Sequence, residues 1–370
     1  MLLGLVGIAS QCSTHSSVIS STSSTKSATI APTSGAITTS WMNSYSQNFK
    51  GSKHYSVLVY PMLESDSYDN VENYGTTLQV VNENLNMLDE TGATGITIHM
   101  GYDPWIINLP NTINEENTIT SEIKANGKAL MLADASAEYY RHHRENWDQF
   151  KSDWVTRVTT LAKLYHPAYY TVIKEPPWYI PMIAGISRNT SSPPDQQIEQ
   201  TSQWISLLKS LITAVKAVSP STKVGIAVSG DLYNGSPSGK IDSAILQGAI
   251  QLKQLDYIGF DIYTATAFEN TTQFLKSNGS GGKQIWIAEA WSSTTAKTGD
   301  STARSNLDVS WARFLINYAQ YIGATGVVPF YTDFFASYSP HPDSTQGLLS
   351  FYNERTPIFY EFQKLLAASK

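Results

Sequence analysis

The chain has 370 residues, 41% hydrophobic, 11% aromatic and 15% charged, enough apolar material for a large core under a sparsely charged surface. A net charge of −6 without any Lys/Arg block excludes nucleic acid or an anionic membrane surface as the principal partner. The single cysteine, Cys12, excludes an intrachain disulfide and a Cys-rich metal site.

Residues 1–12, MLLGLVGIASQC, form an apolar run ending in small residues, like the hydrophobic region of an export signal without its basic start. Cys12 is the alternative, a lipid anchor, although Gln11 before it matches a lipobox poorly. Residues 13–45 read as a linker, almost pure Ser, Thr and Ala up to residue 40. With few large side chains to offset ordering entropy, residues 1–40 are expected to be a disordered stalk open to O-glycosylation. Signal and stalk together predict a secreted or surface-held protein. Sequons at Asn189, Asn234, Asn270 and Asn278 are compatible with export.

From residue 55 strand and helix signals alternate. YSVLVYP (55–61) precedes a helical run that closes on Gly92, a C-cap glycine. TGITIHMGYDPW is the second strand, followed by a short polar helix to NGK (126–128). KALMLADAS is the third, and the helix after it is read as starting at Asp153, an N-cap residue. YYTVIKE is the fourth strand, and SSPPD (191–195) opens an amphipathic helix through Ala217. TKVGIAVSG, DYIGFDIYT, QIWIAEAW and TGVVPFYTDF are strands five to eight, and TPIFYEFQKLLAASK is the closing helix. Apolar strands separated by helices of ten or more residues predict βαβ units and a parallel sheet covered on its face. Eight repeats predict a (β/α)8 TIM barrel over residues 50–370. A doubly wound sheet would want a Gly-rich phosphate turn, and neither GxGxxG nor a Walker A motif is present.

Two strands end in glutamate: the fourth at Glu175 and the seventh at Glu289. Catalytic groups of a barrel enzyme sit at the C-terminal ends of its strands. Strict alternation puts Thr171, Ile173 and Glu175 on one face, Ile285, Ile287 and Glu289 on another, and Gly259, Asp261 and Tyr263 on a third. Two carboxyls about 5–5.5 Å apart suffice to cleave a glycosidic bond with retention, one attacking the anomeric carbon and the other protonating the leaving oxygen. The division of labour needs one carboxyl with a raised pKa and one ionised.

On KEPPW, IAEAW and GFDIYT, the chain resembles glycoside hydrolase clan A, retaining (β/α)8 enzymes whose acid/base ends strand four and whose nucleophile ends strand seven. The resemblance spans roughly residues 55–365. It implies Glu175 as acid/base, Glu289 as nucleophile, and Tyr263 as the tyrosine that often hydrogen-bonds the nucleophile. Lys174 departs from the clan, which usually carries Asn before the acid/base to hold the sugar 2-hydroxyl. Mannanases are among the members that replace that Asn, so the departure bears on substrate more than on mechanism.

Other mouth candidates for sugar contacts are His99, Asp134, Trp178, Trp291 and Tyr331, with Tyr102, Ser136 and Asp333 beside them. EYYRHHRENW (138–147) reads as a rim loop, because the adjacent His142 and His143 lack the spacing of metal ligands. The expectation is a monomeric, endo-acting enzyme on mannan, galactan or glucan, with no cofactor or metal and no membrane contact except an N-terminal anchor. Two rivals stand beside it. A sugar-binding barrel without catalysis would have no need of both glutamates. An aldolase-type barrel would use Lys174, whose side chain alternation directs away from the Glu175 face.

Overall fold

The structure is a computed structural model that describes residues 36–51, 56–64, 85–86, 88–100, 110–134, 147–178, 194–233, 237–291, 301–329 and 355–368. Its strands are β1 (Leu58–Val59), β2 (Met62–Glu64), β3 (Gly95–Met100), β4 (Ala129–Asp134), β5 (Tyr169–Lys174), β6 (Lys223–Ser229), β7 (Tyr257–Ile262), β8 (Gln284–Ala290) and β9 (Gly326–Pro329). All pair in parallel, in the order β1-β9-β8-β7-β6-β5-β4-β3-β2. Among the described residues β1 bonds only β9, and β2 only β3. The two are halves of one stave, divided at Tyr60-Pro61, where Tyr60 N–H donates to Val327 and the Pro61 carbonyl accepts from Thr97 N–H. Pro61 has no N–H to donate, so the ladder changes sides there. Eight staves therefore close a ring, the (β/α)8 barrel the alternation predicts.

The helices are α1 (Thr39–Tyr45), α2 (Pro110–Ala125), α3 (Trp147–Tyr165), α4 (Pro194–Val218), α5 (Pro237–Ala249), α6 (Ala265–Asn278), α7 (Ser301–Ile322) and α8 (Pro357–Ala368). A further helix ends at Thr91, capped by Gly92 at φ 78°. Among the described residues, no helix is long and apolar enough to cross a membrane.

Two cores follow from strand alternation. Outward residues such as Ile96, Leu130, Ile226 and Phe260 pack with helix residues such as Trp154, Leu208 and Trp311. Inside the ring, Tyr60, Met62, Met131, Ala133, Tyr257, Trp286 and Val328 form a second cluster, with Tyr169 against it. The large rings fit because glycines face them: a Cβ on Gly95, Gly225 or Gly326 would overlap Tyr60, Tyr257 or Trp286 respectively. Thr171 Oγ1 meets the Tyr257 hydroxyl at 2.8 Å in this interior.

Three expectations change. The helix read from Asp153 begins at Trp147, and the Asp153 carboxylate accepts from Gln149 Nε2 at 2.9 Å. The linker does not reach residue 45. Ile37 is fully buried, Thr38 Oγ1 caps α1 by accepting from Trp41 N–H at 3.1 Å, and Trp41, Tyr45 and Phe49 lay their rings on α6 and α7 residues Phe268, Phe314, Tyr318 and Tyr321. Aromatics at i, i+4 and i+8 carry that contact, a helical spacing masked by the surrounding Ser/Thr composition. Asn270 is buried in α6, which removes it as a glycan acceptor.

Candidate active site

Glu175 and Glu289 come from staves three apart, yet neither follows simple alternation. On β5, Thr171 pairs with Gly225 and Ile173 with Ile226, leaving Val172 as an extra residue. Tyr170, Val172 and Ile173 all belong to the outer core, so the parity of the strand flips after the bulge. On β8, Ile287 pairs with Phe260 and Glu289 with Asp261, leaving Ala288 extra. Ile287 faces the outer core, whereas the Ala288 Cβ lies against Gly259 inside the ring.

The two bulges re-aim the charges. The Lys174 ammonium forms an ion pair with the Glu289 carboxylate, the two side chains being 5% and 8% exposed. Lys174 thus points into the barrel, not away from it. Beneath the pair Ala227, Gly259 and Ala288 form a floor so tight that a Cβ on Gly259 would lie 2.7 Å from that of Ala288. Small side chains in this layer are what leave room for charged groups above it.

Glu175 is the first residue beyond β5. Its N–H continues the ladder by donating to the Ala227 carbonyl at 2.9 Å, and its backbone is left-handed at φ 47°. That conformation is uncommon for a non-glycine, and the proline that follows restricts it further. Strain of this kind costs about 1–3 kcal/mol and clusters at functional sites. The turn is pinned by Pro176 and Pro177, both buried, in a 3-10 turn through Trp178.

A third carboxyl, given no role by the sequence reading, completes the cluster. Asp261 on β7 is 1% exposed, and neither of its oxygens has a hydrogen-bond partner among the described residues. Burial pushes its pKa well above the usual carboxylate range; the Lys174 ammonium works against this and the Glu175 charge adds to it. Its signal in the sequence was an acid two residues after Gly259, on the inward face of an apolar strand.

The remaining candidates divide. Asp134 does not reach the mouth: it lies on the outer face of β4, fully buried, accepting from Arg157 Nε of α3 at 3.1 and 3.2 Å and from the Tyr170 hydroxyl at 3.0 Å. It is a structural ion pair between sheet and helix. Trp291 is likewise buried at 4% exposure in the outer core, its ring 5.1 Å from that of Trp311, because the chain leaving β8 turns outward. Tyr263 follows β7 directly and is half-buried against the outer core. His99 sits in β3 in register with Ala133, and Trp178 ends the 3-10 turn, but their side chains lie outside the described residues. Tyr331, Tyr102, Ser136, Asp333, His142 and His143 also lie outside them.

The fold and its charged mouth define a parallel (β/α)8 barrel with acidic residues gathered at the C-terminal ends of its strands. No family model matches the sequence, and neither does any curated protein. Among solved structures, the chain is similar to a β-glucosidase from Thermotoga maritima in complex with azafagomine, at TM-score 0.57 and 9% identity over 86% of this chain and 99% of that one. It is also similar to GH5_18 from Streptomyces cattleya in complex with GlcNAc, at TM-score 0.61 and 10% identity over 86% of this chain and 81% of that one. A variant of that protein in complex with Manβ1-4GlcNAc gives 0.60 and 11%, over 84% and 80%. At these identities the likeness is one of fold.

Proposed function

We propose that the protein is a secreted retaining glycoside hydrolase that cleaves internal β-glycosidic bonds of a mannan, galactan or glucan. Glu289 is the nucleophile and Glu175 the acid/base. The observation that carries the reading is the buried Lys174–Glu289 ion pair beside Asp261 and Glu175, at the strand ends where barrel enzymes keep their chemistry. An ionised carboxylate held by an ammonium suits attack on an anomeric carbon. A second carboxyl in a different environment suits proton donation to the leaving oxygen. The sugar-binding character of the solved structures with this fold supports a saccharide substrate.

In the first step a Glu289 oxygen bonds to the anomeric carbon as Glu175 delivers its proton to the departing oxygen. In the second, Glu175 takes a proton from water, whose oxygen displaces Glu289. The inward Lys174 gives the Schiff-base rival a candidate amine. An ammonium held by a carboxylate, however, has no lone pair with which to attack a carbonyl.

The test is a panel of polysaccharides with reducing-end detection, wild type against Glu289→Ala. New reducing ends from wild type, lost by orders of magnitude in the variant, are expected. Equal activity of the two, or covalent trapping of a carbonyl substrate on Lys174 by borohydride, overturns the reading.

A further inference from the structure

At the end of the barrel opposite the mouth, the loops that enter β4, β5 and β6 surround a cavity of about 460 Å³. Lys124, Lys128 and Lys223 line it together with His166, Ser221 and Tyr169, and none of the described residues in its wall is acidic. A wall of one sign is unexpected in a chain whose net charge is −6.

The three ammoniums differ in what holds them. Lys128 is satisfied outside the cavity, pairing with Asp89 at 2.5 Å and donating to the Ala93 carbonyl at 2.7 Å. Lys223 has only a loose partner, Asp256 Oδ1 at 3.7 Å. The other oxygen of that carboxylate already accepts from Lys216 Nζ at 2.8 Å and from Val224 N–H at 2.9 Å. Two lysines therefore share one carboxylate. Lys124, in the last turn of α2, has no ion pair among the described residues, and desolvation pulls its pKa down. An anion beside it would offset that cost.

The rest of the wall is fixed in place. The Thr222 hydroxyl gives its proton to the Pro167 carbonyl at 2.7 Å, so in its 2.8 Å contact with Ser219 it accepts. Ser219 has then spent its own proton, and in its 3.2 Å contact with His166 Nδ1 it is the ring that donates. This chain ties the turn before β6, which carries Ser221, to the turn before β5. Burial and the nearby Asp256 charge raise the Tyr169 pKa, so its phenol stays protonated as a donor.

We propose that this cavity binds a tetrahedral oxyanion group of the sulfate or phosphate class. Lys124 and Lys223 are its ammonium partners and the Ser221 hydroxyl is a further donor. Two incompletely paired ammoniums match a dianion. Donors on three separate loops match oxygens that point in several directions. The group arrives either on a small ester or on an anionic polysaccharide. The site lies across the barrel from the glutamates, so it is independent of the glycosidase reading.

The test is calorimetric titration of the full chain with inorganic sulfate at constant ionic strength, which needs no enzymatic activity. Saturable binding of one sulfate per chain is expected. Lys124→Ala and Lys223→Ala should each weaken it by about three- to tenfold, and the double variant more than either. Lys253→Ala removes the same charge from the loop entering β7, outside the cavity, and should leave binding unchanged. Absence of saturable binding, indifference to both cavity variants, or an equal loss in Lys253→Ala each overturns the proposal. Glucose 6-phosphate and dextran sulfate then separate the sources. Tighter binding of the first than of sulfate assigns the site to small esters, and tighter binding of the second, lost in the double variant, assigns it to a polymer.

Discussion

Lys174→Met isolates the electrostatics of the mouth, because methionine keeps most of the unbranched apolar stem and removes the ammonium. Lys174 and Glu289 are 5% and 8% exposed, so solvent screens little of their interaction. Removing one partner of a buried pair costs about 3–5 kcal/mol while the other stays charged. At roughly 2 °C per kcal/mol for a domain of this size, the melting temperature at pH 7 is expected to fall by about 6–10 °C. The loss depends on pH. Glu289 in the variant loses the Lys174 ammonium while staying buried, so its folded pKa is expected to rise above the unfolded value near 4.3. A raised carboxyl pKa means that the folded state holds its proton longer than the unfolded state. The deficit therefore grows as pH rises through the unfolded pKa and is nearly absent below it. Melting curves of the variant and wild type at pH 4 and pH 7 test this, as does Lys174→Met/Glu289→Gln, which restores most of the loss. Equal destabilisation at both pH values refutes the ion-pair argument.

Asp134→Asn is expected to destabilise by about 3 kcal/mol by leaving Arg157 buried without its carboxylate, yet to leave KM unchanged; an altered KM with unchanged melting would put Asp134 back in the mouth. Removing residues 1–35 is expected to leave melting unchanged, whereas Trp41→Ala costs about 2–3 kcal/mol because its ring packs on Phe268 and Phe314, as chemical denaturation would show. Gly259→Ala drives a methyl into Ala288 beneath the charges, and a loss of activity exceeding its effect on melting is expected; full activity would show that the floor does not position the mouth.

The barrel was legible because its signal is repeated: eight apolar strands, each followed by a helix, leave few alternatives. Positions on the rim were less legible, since side-chain direction depends on register. One inserted residue turns every later side chain to the opposite face. Val172 and Ala288 are ordinary strand residues, so nothing local announces either bulge, and Lys174 was directed outward. Asp134 shows the complementary problem. It ends its strand as Glu175 follows β5, but its partner Arg157 lies a helix away. The Trp41, Tyr45 and Phe49 spacing was readable but was outweighed by composition.

The divided first stave sets how the barrel meets stress. Its β1 half joins β9 through two register pairs, whereas β3 and β4 share six. A closed ring has no free strand edge, and this seam is where closure is thinnest. Opening there converts the ring into a flat-ended sheet whose two outer strands offer unpaired backbone groups. Both edges are apolar, which suits them to pairing with another chain. Self-association on mild heating would therefore start at the seam, well before the inner staves separate.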